Sequence, residues 1–79
     1  MVKYDLTREE NERLTRDFTC HKPKDDQLER YADIRNNAGM LALFIMRQCP
    51  KSRELSLALT KIEEAVFWAN AAIARNEKE

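Results

Sequence analysis

The segment Phe18–Asp25, FTCHKPKD, is the loop with the greatest chemical variety in this chain. An aromatic ring, an imidazole, a thiol, a hydroxyl and two lysines fall between Phe18 and Lys24. Pro23 turns Lys22 away from helical angles and keeps the segment extended. It reads either as a functional loop or as a solvated linker whose Phe18 plugs the core. Two further clusters carry polar groups where apolar ones are expected. Arg35-Asn36-Asn37 precedes a long apolar run, and its amides either face solvent or line a polar pocket. Thr60 and Lys61 interrupt an otherwise apolar helix, and Asn70 interrupts it again. An arginine near the start of that helix, Arg53, and a lysine two turns later could hold an anion such as a phosphate. The competing reading is a solvated face with Lys61 paired to Glu64 at i, i+3.

Catalysis finds little support in these residue types. The single histidine, His21, is adjacent in sequence to Cys20, which does not orient a thiol toward a base, and no third orienting group is visible. Cys20 and His21 also lack two further ligands at the spacing a metal site needs. Glu63 and Glu64 are consecutive, so on a helix they point about 100° apart and do not form an acid–base pair. Gly39 is the only glycine, which excludes a glycine-rich phosphate loop. Binding without a cofactor or metal is what remains.

The elements that must position these groups are helical. Thr7 and Glu10 form a T-x-x-E capping-box pattern, predicting a short helix over Arg8–Asp17 within a charged arm, residues 1–17. Its apolar content is thin, so it should lie against the body of this chain or of a neighbour. Asp25 or Asp26, the latter with Glu29 in a D-x-x-E box, caps a second helix over residues 26–48 that Pro50 stops. Tyr31, Ile34, Ala38, Leu41, Ile45 and Cys49 form its main seam, and from Ala38 onward it is apolar on every side. Gly39 would allow close approach by the alanine-rich third helix. Ser52 caps that helix, residues 52–75, with Glu54 at its positive end. Leu55, Leu59, Ile62, Val66, Ala69 and Ile73 repeat at spacings of four and three, a seam that closes a helical hairpin. The short connection between the long helices makes them antiparallel neighbours. A second apolar line, Leu57, Ala58, Ala65, Trp68 and Ala72, calls for another copy of the chain to cover it.

Size and charge agree. The chain has 79 residues, 14 basic and 14 acidic, for a formal net charge of zero. Domains this small bury only about 60% of their unfolded surface and often add oligomerisation. Zero net charge gives no global attraction for duplex nucleic acid or an anionic membrane. The charged opening has no secretory core, and the longest apolar run, Ala38–Met46, is far below the roughly 20 residues that span a bilayer. Cys20 and Cys49 are therefore expected as reduced thiols in a soluble, cytoplasmic protein. The expected fold is a single all-α domain over residues 1–79, a short N-terminal helix followed by a long αα-hairpin, assembled as a homo-oligomer.

Two stretches carry a family resemblance. CP-x-SRE-x-SLALTKIEEAVFWANAAIAR and the preceding FT-x-H-x-P-K-x-D-Q-x-ERY-x-x-IR-x-x-A resemble the helical-hairpin domain of phage anti-CBASS sponges, shared with an anti-Thoeris sponge. Together they cover residues 18–75. The resemblance implies a homohexamer that sequesters cyclic oligonucleotide immune signals in the infected host without cleaving them. It also implies two kinds of site between protomers. One takes cyclic dinucleotides with a stacking aromatic from the loop and a basic residue on the long helix. Arg35 matches the basic position, while Cys20 stands where many relatives have Tyr, leaving Phe18 or His21 to stack. The other takes cyclic trinucleotides through polar residues of the last helix, here matched to Arg53, Thr60 and Lys61. With Lys24 of the loop and the Asn36 amide beside Arg35, the candidate ligand set is Phe18, Cys20, His21, Lys24, Arg35, Asn36, Arg53, Thr60 and Lys61. The alternatives are a structural or protein-binding hairpin that does not bind nucleotides and, third, a small enzyme using Cys20 and His21.

Overall fold

A computed structural model describes residues 3–77. It contains three helices, α1 (Arg8–Phe18), α2 (Gln27–Gln48) and α3 (Arg53–Asn76), with no strand among the described residues. Each start has a local cause. At α1 the Thr7 hydroxyl accepts from the Glu10 amide at 3.1 Å and the Glu10 carboxylate accepts from the Thr7 amide at 2.9 Å, a complete capping box. At α3 the Ser52 hydroxyl accepts from the Leu55 amide at 3.1 Å. The start of α2 departs from expectation. Asp26 makes no capping bond, because its carboxylate accepts instead from Arg30 Nε at 3.1 Å. Gln27 instead ties the first residue of the helix to the preceding turn: its side-chain oxygen accepts from the Lys24 backbone amide while its backbone amide donates to the Lys24 carbonyl, both at 2.9 Å.

The long helices pack antiparallel, and their seam runs along the residues whose spacing predicted it. Leu55 is buried; Leu59, Ile62, Val66, Ala69 and Ile73 of α3 are half-buried against Tyr31, Ile34, Ala38 and Ile45 of α2. Three expectations fail. Leu41 of α2 and Cys49 at its C-cap are exposed, and Ala42 takes the inward position instead of Leu41. Phe18 is 83% exposed rather than plugging the core, since it ends α1 on the edge shared with Leu6 and Leu14. A Cβ added at Gly39 would meet nothing within 4 Å, so no helix of this chain approaches it closely.

The molecule measures 53 × 36 × 15 Å. Its least dimension is little more than the roughly 10–12 Å diameter of one helix with its side chains. A single layer of helices has no enclosed interior, which explains why Leu55 is the only buried apolar side chain among the described residues. Met40, Leu43, Phe44 and Met46 of α2 and Leu57, Phe67 and Trp68 of α3 remain exposed. No helix of the described residues is long and apolar enough to cross a membrane.

Candidate ligand-binding groove

At the open end of the hairpin the first turns of α2 face the last turns of α3. Tyr31 and Arg35, four residues apart, project from the same side of α2. Across from them α3 presents Asn70, Ala71, Ala74 and Arg75, and the two alanines leave a depression between the helices. Thr19 and His21 of the loop and Asp17 at the end of α1 complete an open groove of about 370 Å³.

The groove combines positive charge, two rings and amide hydrogen-bonding capacity. Arg75 donates through Nη2 to the Asp17 carbonyl at 3.3 Å, and its Nη1 lies 3.8 Å from the Asp17 carboxylate. The same carboxylate is approached by Arg16 at 3.3 Å and Arg13 at 3.6 Å. Three guanidinium groups around one carboxylate leave local positive charge. Arg35 adds to it and has no ion pair with any described residue. His21 donates from Nε2 to the Arg16 carbonyl at 2.9 Å, which places the ring proton on that nitrogen, because a carbonyl only accepts. Asn70 contributes a buried side-chain oxygen that finds no donor among the described residues. A buried amide oxygen without a donor is costly, and a ligand that brings one would relieve that cost.

These groups suit a planar anion: guanidinium groups for phosphate, rings for stacking and an amide for a base edge or hydroxyl. They do not assemble a nucleophile with a base, as His21 Nε2 is committed to a carbonyl and Cys20 does not line the groove. Among the described residues no three His, Cys, Asp or Glu side chains converge as metal ligands.

The family model of the Acb2/Tad1 hairpin domain matches residues 10–74. The chain belongs to that family. No curated protein and no solved structure matches it. The Acb2/Tad1 hairpin is the domain of anti-CBASS and anti-Thoeris sponges, so the resemblance drawn from the two motifs is correct. The match takes in all of α2 and most of α3, and ends just before Arg75.

Within this Acb2/Tad1 hairpin the expected ligand residues are dispersed. His21 and Arg35 share the groove. Cys20 is an exposed free thiol and Asn36 an exposed amide, both outside the groove, and Phe18 points away with the apolar edge of α1. Lys24 is held through its backbone by Gln27. Arg53, Thr60 and Lys61 occupy the other half of α3, Lys61 roughly 14 Å along the helix from Asn70. Thr60 donates back to the Ser56 carbonyl at 3.0 Å, and Lys61 pairs with Glu64 at 3.3 Å, the solvated-face pairing weighed as the alternative. Tyr31, Asn70 and Arg75 also line the groove, outside the expected ligand set. By spacing alone Tyr31 reads as a seam residue. Asn70 had a signal, as a polar break in an apolar helix, and Arg75 had none beyond its charge.

Proposed function

We propose that this chain is a non-catalytic binding protein that sequesters cyclic oligonucleotide second messengers and so blunts bacterial anti-phage immunity. The observation that carries the reading is the groove itself, where Arg35, His21, Tyr31, Asn70 and Arg75 meet between α2 and α3. Cyclic dinucleotides carry two phosphates and two base faces, for which cations and stacking rings are the fitting partners. Stacking contributes about 1–3 kcal/mol per base. Membership of the Acb2/Tad1 hairpin family supports the sponge role. The groove is open along one side, and a second copy of the chain would close it. A homo-oligomer, six copies by the family resemblance, is therefore part of the reading, as is a second site for cyclic trinucleotides at Arg53, Thr60 and Lys61.

Isothermal titration with cyclic di- and trinucleotides tests the proposal, followed by denaturation and mass measurement of the released ligand. Heat on mixing and intact ligand on release are expected. Absence of heat with folded protein across both ligand classes would overturn the binding reading, and linearised ligand would turn the sponge into a phosphodiesterase. The second reading, a hairpin used only for protein contacts, is favoured by Cys20, which lies outside the groove and offers no ring. Separate changes at Arg35 and Lys61 discriminate: each should cost a sponge one ligand class and leave a protein-contact module indifferent.

A further inference from the structure

The last turn of α3 and its C-cap, Glu77, tie down both ends of the loop that carries His21. At the loop's start, Arg75 donates to the Asp17 carbonyl at 3.3 Å. At its end, Gln27 is the one buried polar residue among those described, 5% exposed. Its side-chain oxygen accepts the Lys24 amide, and its side-chain nitrogen donates to Glu77 Oε1 at 3.0 Å. Arg30 grips the same carboxylate with two guanidinium nitrogens, Nη1 donating to Oε2 at 2.6 Å, and holds Asp26 through Nε at 3.1 Å. Between Lys24 and Gln27 the chain turns through Asp25 at φ +48°, a left-handed conformation uncommon for residues with a Cβ and tolerated by Asp in turns.

We propose that Gln27, Arg30 and Glu77 are positioning residues, a clamp that fixes the loop so that His21 faces Arg35 across the groove. None of the three lines the groove. The clamp joins residues 47 and 50 positions apart in sequence, so it closes only when the hairpin is fully zipped. Loop placement is thereby coupled to the last turn of α3, and Glu77 lies beyond the matched domain. The contribution to ligand binding rests on the function proposed above; the placement of the loop does not.

The test uses the full chain with Gln27→Ala, Glu77→Ala and Glu77→Gln, the last keeping the oxygen that Gln27 and Arg30 Nη2 share. Amide hydrogen exchange at Lys24, whose N–H bonds the Gln27 side chain, reads the loop without ligand. Titration with cyclic di-AMP and cyclic GMP–AMP reads the groove, and thermal melting reads the fold. We expect Lys24 exchange to rise about tenfold in Gln27→Ala, where its acceptor is lost, and less in Glu77→Ala. Dinucleotide affinity should fall about tenfold in both alanine variants and return to within about threefold in Glu77→Gln. Unchanged Lys24 exchange in both alanine variants overturns the clamp. A loosened loop with unchanged affinity overturns its role in binding, as does an affinity loss that only tracks the melting temperature and is not restored by Glu77→Gln. If the unaltered chain binds neither dinucleotide, the reading of this groove as a dinucleotide site falls, and the exchange data alone decide whether the clamp places the loop.

Discussion

Asn70 is the side chain whose position is hardest to account for by folding alone. Its amide oxygen is buried beside the groove with no donor among the described residues. Leaving such a group unmade costs about 1–3 kcal/mol, a cost that folding does not recover and a ligand can. Asn70→Ala should therefore leave the thermal midpoint unchanged or raised, while ligand affinity falls about tenfold. A destabilised variant with normal binding would assign Asn70 to structure instead. Glu77 makes a different kind of contribution. Hydrogen bonds from Arg30 first, and Gln27 second, hold its carboxyl at about 2, against an ordinary value of 4.5. Because the folded value is depressed, the clamp contributes fully above about pH 4.5 and is lost as the pH falls toward 2. The melting difference between the unaltered chain and Glu77→Gln should accordingly be constant at higher pH and shrink steadily through that window. A difference that grows on acidification would contradict the assignment.

The helices were legible in the sequence because their signals are local and do not compete. Thr7 with Glu10 has no rival partner, and Ser52 directly precedes an apolar repeat, so both caps form as written. Asp26 with Glu29 matched the same kind of pattern and failed, since Arg30 one turn later binds the Asp26 carboxylate. Spacing cannot reveal that competition. Nor could it reveal the groove, which needs α2 and α3 in register: Arg35 and Arg75 stand 40 positions apart and meet only in the closed hairpin. Gly39 shows the same limit from the other direction. A mid-helix glycine suggested close packing, yet the space beside it is open within the protomer. Gly39→Ala should then favour the helix by about 0.5–1 kcal/mol, raising the melting midpoint at low protein concentration. A drop in stability or in assembled mass would place the backbone of another copy against that face.

At the scale of the whole molecule, a slab 15 Å thick cannot hide the apolar surface its sequence provides. Phe44 at 61% exposure, Phe67 and Trp68 belong to that surface, and Met40 stands one turn from Phe44 on the same face of α2. Contiguous apolar surface of this kind is rare on isolated soluble domains and common where copies meet. Zero net charge removes the repulsion that would otherwise keep copies apart. The groove adds a reason of its own, as its open side would leave an anionic ligand partly in water, where electrostatic contacts weaken. Assembly and ligand capture should therefore fail together. Sedimentation at tens of micromolar is expected to give a multiple of the 9.3 kDa chain mass, and Phe44→Asp should shift it toward the single chain. In that variant helicity should become concentration-dependent and dinucleotide affinity should fall, although Phe44 lies outside the groove. A chain that sediments singly, melts independently of concentration and still binds tightly would show that one hairpin makes the site by itself.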